Sequence, residues 1–555
     1  MGSAIEPSLH PTRTSTRGTT LPAGWLAVLL GTVYLLAGQW GHDPWKHEDA
    51  IHIGVAWQMA HAGQWLTPQL AGQPWLEQPP LWYWCAALLG QLFSSWLPFH
   101  DGARLASASF GALFLAALAG GARELWGRAA APVAPLLAIG SLGLLVPLHE
   151  AQPASATLAG LAIFYWGLLT PRPRQGAALL AIGLGIGLMS GGLAFLVVSL
   201  PLLPLMRAPS LLSLFALLAI LPLIALWPLS SPAAADHFAA WWQAELVRMS
   251  ALPQAPSLDH LQLLAWAAWP SWPLVAWLLW VDRRERATPL LPLAALLLAL
   301  LPFALREARP LAVLPLLPIL ALLATGGLLR LRRGAASALD WFGIMSYSFF
   351  LALVWLGGLA LHLGWPPKIA RNFDRLAPGH VAELAPAALL VASLLTILWL
   401  TLFGLPRTPW RPALRWAAGI TVLWGSMMML WLPWIDHGKS YRSVVVALRA
   451  QLPAEPGCLA GRNLSLAMSA SLDYFAGLHT RHDARGCLWL LQAGNAHSEP
   501  AIHGWTLIWQ GHRPGDRNER LRLYRRADGS EGNAEQSGER EEAAGAPQAT
   551  TLAYR

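Results

Sequence analysis

Long apolar runs, broken at intervals by short arginine-bearing loops, dominate the chain from residue 21 to residue 435. The first covers about 21–38. Others follow at about 104–122, 130–148, 154–170, 177–189, 192–206, 209–229, 262–281, 289–305, 310–329, 340–362, 386–405 and 416–434. A membrane-crossing helix needs about 20 mostly apolar residues. The pattern therefore predicts a mainly α, polytopic membrane domain over 21–435 with about thirteen transmembrane helices. The runs 177–189 and 192–206 fall short of that length and meet at Ser190-Gly191-Gly192. Segment 40–100 is only partly apolar. Within it, 81–97 lies between Pro79-Pro80 and Pro98, which reads as a bounded helix at the membrane surface and not as a crossing.

Beyond residue 435 the pattern changes. A helical stretch at 441–452 precedes short apolar strands near Cys458 and Cys487. A hairpin is then expected from 505–510 and 520–524, around His512-Arg513-Pro514-Gly515-Asp516. This predicts a small C-terminal α/β domain over 436–527. The remaining 528–555, rich in Gly, Ala and Glu, reads as disordered.

Composition excludes a set of soluble domains. Of the 555 residues, 55% are hydrophobic and 12% charged, and mean hydropathy is +0.43. So few charges could not cover a soluble surface of this size. The 31 Trp suit long membrane–water boundaries. The net charge of +8 does not point to nucleic acid, because the basic residues sit in short clusters between apolar runs. Arg123/Arg128, Arg172/Arg174, Arg207, Arg283/Arg284/Arg286, Arg330/Arg332/Arg333 and Arg407/Arg411/Arg415 fall in every second loop. With those loops cytoplasmic, the N-terminal tail 1–20 (Arg13, Arg17) is cytoplasmic and leads into an uncleaved signal-anchor, while 436–527 is periplasmic. Cys458–Cys487 would then pair as a disulfide in that oxidising setting.

Candidate chemistry gathers on the outer face. Glu48-Asp49 precedes a short helical pattern at 51–60. Carboxylates there suit deprotonation of an acceptor, cation binding, or simple helix capping. Farther along, Glu77 stands in the aromatic-rich stretch Trp75-Leu76-Glu77-Gln78-Pro79-Pro80-Leu81-Trp82-Tyr83-Trp84. The order is specific: Glu48-Asp49, Met59, Gly63-Gln64-Trp65-Leu66-Thr67-Pro68, the Glu77 stretch, then Arg104-Leu105.

On these motifs residues 43–110 resemble the GT-C superfamily of polyprenyl-phosphate-sugar-dependent glycosyltransferases, especially the aminoarabinose (lipid A) transferases and protein mannosyltransferases. The likeness continues more weakly over 305–323. It implies an inverting enzyme of the bacterial inner membrane. The sugar would pass from a polyprenyl (undecaprenyl) phosphate donor to a lipid, glycan or protein acceptor at the periplasmic face. Glu48 falls on the family's catalytic aspartate and Asp49 on the next acid, so one of them is implied to be the general base. Glu77 matches an acid expected to order the site.

Four positions depart from that pattern. Gln78 and Ser190 replace lysines, Ile51 an arginine, and Ala154 an acid for which Glu150 is the nearest substitute. A polyprenyl phosphate needs cationic partners, and the outer-face candidates are Arg306, Arg309, Arg248 beside Glu245, and Lys46. Arg306 and Arg309 could equally be snorkelling from a membrane edge. The expected substrate-binding set is thus His52, Gln78, Glu150, Glu245, Arg248, Arg306 and Arg309. No residue is assigned to a metal and no cofactor is certain; a divalent cation stays open. Two other classes also stay open: a lipid-linked sugar transporter or flippase, and a catalytically degenerate relative that binds polyprenyl phosphate.

Overall fold

Proline and glycine positions decide where the apolar runs become straight helices and where they break. The structure is a computed structural model describing residues 23–283, 288–383, 385–481, 483–496 and 502–527. The tails 1–20 and 528–555, with Arg284 and Arg286, lie outside the described residues.

Helix α1 (Ala23–Leu36) opens the chain. Next come α2 (Glu48–His61), the two-stranded ribbon of β1 (Gln69–Leu70) and β2 (Gln73–Pro74), and α3 (Leu81–Leu92). At about 1.5 Å per residue, the 14 residues of α2 and 12 of α3 are too short to cross a bilayer. Pro98 stops the run after α3 and precedes α4 (Phe99–Trp126). Helix α5 (Val133–Ile139) is much shorter than the expected run to 148. It ends at Gly140, and Gly143 then passes so close to Ala267 that a Cβ there would lie 2.7 Å from that residue's own.

After α6 (Ala154–Leu169), helix α7 (Pro173–Ser199) contains the sharpest break in the fold. Gly192 has φ 61° and ψ −150°, a conformation essentially restricted to glycine. Phe195 folds back onto Gly187, where a Cβ would sit 2.1 Å from its ring. The chain then returns to its starting side: the Arg207 N–H donates to Leu168 O at 2.9 Å, and its guanidinium to Glu124 O at 3.1 Å. The two short runs meeting at Ser190-Gly191-Gly192 are therefore the legs of one hairpin.

Helices α8 (Leu211–Leu229) and α9 (Pro232–Met249) follow. The run expected at 262–281 is not one helix but α10 (Leu258–Ala267) and α11 (Ser271–Asp282), bent by 97° ahead of Pro270 and Pro273. The remaining helices of this part are α12 (Leu290–Leu305), α13 (Leu317–Leu329), α14 (Arg333–Leu363), α15 (Pro367–Leu376), α16 (Pro386–Thr401) and α17 (Arg411–Lys439). Among the described residues, seven helical segments are long and apolar enough to cross a membrane, or eight if the bent pair counts as one; four apolar helices are shorter.

Contacts sort the loops onto two faces. Arg207 meets Glu124 on one, where Arg330 also pairs with Asp282 at 3.5 Å, and Arg411 and Arg415 with Asp340 at 2.7 and 2.6 Å. Segment 40–100 meets Ala151, Arg248 and Ser440 on the other.

The C-terminal region packs on that second face. It comprises α18 (Arg442–Arg449), β3 (Leu459–Arg462), α19 (Leu466–Ala476), β4 (Trp489–Asn495), β5 (Trp505–Gly511) and β6 (Glu519–Arg526). The sheet order is β3-β4-β6-β5; β3 runs parallel to β4 and the other pairs are antiparallel. The expected hairpin is β5–β6, and Cys458 is bonded to Cys487. Close packing ties α19 to α2, since a Cβ on Gly54 would lie 2.8 Å from that of Ala470. Asp43 bridges the same regions by accepting from Ser440 Oγ at 2.7 Å and pairing with Arg442.

Candidate functional site

The two acids that start α2 point to different surroundings, as neighbours on a helix must. Asp49 is completely buried. Its Oδ1 accepts from Arg104 Nε at 3.1 Å and the Ala151 N–H at 2.8 Å; its Oδ2 accepts from Arg104 Nη2 at 2.7 Å and the Trp45 N–H at 3.0 Å. Burial alone would raise its pKa, but the Arg104 guanidinium overrides that and holds it well below the carboxylate range. Arg104 also donates to Asp101 Oδ1 (2.8 Å), His42 O (3.0 Å) and Asp43 O (2.8 Å), so all five of its N–H groups are used. Asp49 is a buried fastening whose two oxygens are both fully engaged by these four hydrogen bonds from Arg104, Ala151 and Trp45.

Glu48 is different. Its side chain is 31% exposed, and Oε2 lies 3.1 Å from His52 Nε2. That hydrogen bond holds its pKa below the usual value, against a smaller opposing effect of burial. The buried His52 is fixed from behind, with Nδ1 2.8 Å from the Tyr83 hydroxyl. Tyr83 accepts from Trp75 Nε1 at 2.8 Å and donates to Gln78 Oε1 at 2.9 Å. Tyr83 and the Gln78 amide thus hold the His52 ring in place behind Glu48.

The same 75–78 stretch forms the join to a second polar cluster. Arg248, on α9, donates to Leu76 O at 2.8 Å and to Glu245 Oε2 at 2.7 Å, and lies 3.6 Å from Glu77 Oε2. The other oxygen of Glu245 accepts from the Leu193 N–H at 3.1 Å, the residue after the Gly192 break. Glu245 is thus a buried clamp between Arg248 and the Gly192 break. Arg306 is exposed and reaches Arg248 O at 3.4 Å, while His260 Nε2 lies 2.8 Å from the Arg306 carbonyl. Arg309 is turned to Glu307 at 2.6 Å. Lys46 is turned away, to Glu519 at 3.4 Å and Asp516 at 3.7 Å.

Of the expected set, then, Glu48, His52 and Gln78 belong to one cluster, Glu77, Glu245, Arg248 and Arg306 to the other, and Arg309 lies beside the second. Glu150 sits near Asp49 and Lys439; burial and then the Asp49 charge push its pKa up to about 8. Ser190 donates to Ile186 O at 2.6 Å and Ile51 is buried, so neither replaces the cation expected there. Among the described residues, no group of three or more His, Cys, Asp or Glu is arranged to hold a metal. Sequence reasoning named Arg104 and Tyr83 only as motif positions, and gave neither Asp43 nor its pairing with Arg442 a role. The available signal for Arg104 was an arginine in an otherwise apolar span, which demands a buried partner.

Known proteins share this architecture. ArnT from Cupriavidus metallidurans bound to undecaprenyl phosphate superposes with a TM-score of 0.62, covering 90% of this chain and 97% of that one at 16% identity. The fold is the GT-C fold of ArnT. The apo state of ArnT gives a TM-score of 0.57 at 15% identity, with the same coverage. No protein-family model matches. In sequence, the chain is 29% identical over 206 residues to undecaprenyl phosphate-alpha-4-amino-4-deoxy-L-arabinose arabinosyl transferase 1 of Pseudomonas fluorescens (strain Pf0-1). That match spans 35% of this chain and 34%, about a third, of the relative. The likeness read from residues 43–110 therefore holds at the level of the fold.

Proposed function

We propose that the chain is an inverting GT-C glycosyltransferase that moves a sugar from a polyprenyl phosphate to an acceptor at the membrane face carrying the C-terminal region. One observation carries this reading: of two adjacent acids, Asp49 is consumed by Arg104 while Glu48 keeps an accessible carboxylate oriented by His52.

Glu48 takes the proton as the acceptor hydroxyl or amine attacks the anomeric carbon. The bond from that carbon to the phosphate oxygen breaks, and polyprenyl phosphate leaves with the electron pair. Arg248 and Arg306 meet the charge developing on the phosphate, and Glu77 steadies Arg248. His52, Tyr83 and Gln78 hold the base in line. Positioning supplies much of the acceleration, because small displacements of a reacting pair are costly.

The setting follows from the same reading. The two legs of the Gly192 hairpin, counted separately with the shorter helices and the bent pair, support thirteen crossings. Such a chain belongs in a bacterial inner membrane with its N-terminus cytoplasmic and 436–527 as a periplasmic α/β domain, in keeping with the Cys458–Cys487 bond. The relative's name points to an undecaprenyl phosphate aminoarabinose donor, and lipid A is a fitting acceptor. The test is transfer of label from polyprenyl-phosphate sugars to membrane acceptors, comparing wild type with Glu48→Gln. Transfer by the variant at the wild-type rate refutes the base assignment. Donor binding without transfer by the wild type favours a degenerate relative, the reading that Ile51 and Ser190 support.

A further inference from the structure

We propose that α15 and the crevice beside it form a binding site for an anionic glycerophospholipid, separate from the transfer site. Helix α15 carries Lys368, Arg371 and Arg375 at i, i+3 and i+7, which places them on one face. With Ile369 and Asn372 they line a concavity of about 500 Å³. Arg517, from the turn before β6, donates to the Arg375 carbonyl and brings a fourth cation to this end of the helix. Among the described residues, none of the four has a carboxylate within 4.0 Å. A cluster of like charges left without counter-ions is costly unless an anion shares it.

The helix is fixed from below. Phe373 packs edge-on against Trp431 and Trp434, with ring centroids 5.4 and 4.8 Å away, and Trp434 Nε1 donates to the Phe373 carbonyl at 3.2 Å. Beside the same end of α17 lies an apolar crevice of about 150 Å³, lined by Leu389, Met428, Leu430 and Leu432 together with His362 and Glu383. His362 Nδ1 is buried there with no hydrogen-bond partner among the described residues. Around both, Leu363, Trp365, Leu376 and Val381 are exposed. A basic amphipathic helix bordered by exposed aromatic and aliphatic residues belongs at the lipid headgroup level. A phosphodiester headgroup matches the cations and an acyl chain matches the crevice, whereas a soluble phosphate would leave the crevice and its apolar border unexplained.

The full chain, purified in mild detergent, is examined by native mass spectrometry for retention of phosphatidylglycerol, phosphatidylcholine or inorganic phosphate. Wild type retains phosphatidylglycerol in preference to phosphatidylcholine, and added salt weakens only the former. The triple variant Lys368→Gln/Arg371→Gln/Arg375→Gln binds phosphatidylglycerol at least about tenfold more weakly, since each basic residue near a membrane contributes roughly fivefold. Removing the same charge from the opposite face, by Arg174→Gln/Arg332→Gln/Arg333→Gln, leaves retention unchanged. The proposal is overturned by equal retention of the two lipids, by an unaffected α15 variant, by an equal loss in the control, or by complete displacement with millimolar inorganic phosphate. None of these readouts requires glycosyl transfer, so they stand or fall apart from the enzyme assignment.

Discussion

Arg104 and Asp49 form a two-pronged ion pair, Nε to Oδ1 at 3.1 Å and Nη2 to Oδ2 at 2.7 Å, with neither side chain exposed to solvent. Removing one partner leaves an uncompensated buried charge, which costs about 3–5 kcal/mol. Asp49→Asn is expected to lower the melting temperature sharply. Glu48→Gln should change stability by less than about 1 kcal/mol while reducing transfer by at least roughly 100-fold. Comparable melting losses for the two variants would contradict the division of labour between these acids.

The His52 hydrogen bond that lowers the Glu48 pKa predicts a pH effect. A base with a depressed pKa stays ionised to lower pH, so loss of the partner moves the acid limb of the transfer profile upward. His52→Asn should show this shift directly. Tyr83→Phe, which takes away the hydroxyl at 2.8 Å from His52, should show a smaller shift in the same direction with donor KM little altered. An unmoved acid limb in both variants would mean that the chain Glu48–His52–Tyr83 serves packing alone.

Glu150 makes the opposite kind of prediction. Its folded pKa of about 8 exceeds the ordinary 4.5, chiefly through burial. The folded protein therefore holds that proton more tightly than the unfolded chain, and stability falls as pH rises from about 4.5 toward 8. Glu150→Gln keeps the shape and removes the titration. It should be nearly neutral at pH 5 and stabilising by ~1–3 kcal/mol at pH 8, read from paired thermal melts.

On the phosphate side, Arg248→Gln and Arg306→Gln should each weaken donor or polyprenyl phosphate binding by about 10-fold or more, the scale of a charge-assisted contact. Arg309→Gln should do less, because Arg309 is turned to Glu307 at 2.6 Å. Binding measured with unglycosylated polyprenyl phosphate separates this from any effect on the chemical step. If Arg309→Gln proved the most damaging of the three, the assignment of Arg248 and Arg306 would be wrong.

Much of this was legible in the chain itself, and the reasons are local. Acids followed by an apolar helical pattern gave the start of α2, prolines on both sides bounded α3, and alternation with a turn gave β5–β6. What stayed hidden depends on partners far away in sequence. Asp49 meets Arg104 across 55 residues and Asp43 meets Arg442 across 399, and no spacing rule announces either. That is why Glu48 and Asp49 looked interchangeable until their surroundings separated them. The bend between α10 and α11 was missed for another reason: apolarity is equally high on both sides of Pro270, so hydropathy registers length but not direction.

The reversal at Gly192 governs more than its own neighbourhood. An unbroken rod through that residue would change the parity of all later crossings. The disulfide-bearing sheet and the basic helix α15 would then emerge across the bilayer from Glu48. Because the backbone doubles back, the amino-terminal and carboxy-terminal halves can cooperate at one shared surface. In the proposed topology, a residue lacking a side chain, remote in sequence from both, thereby decides which side of the membrane receives everything after it.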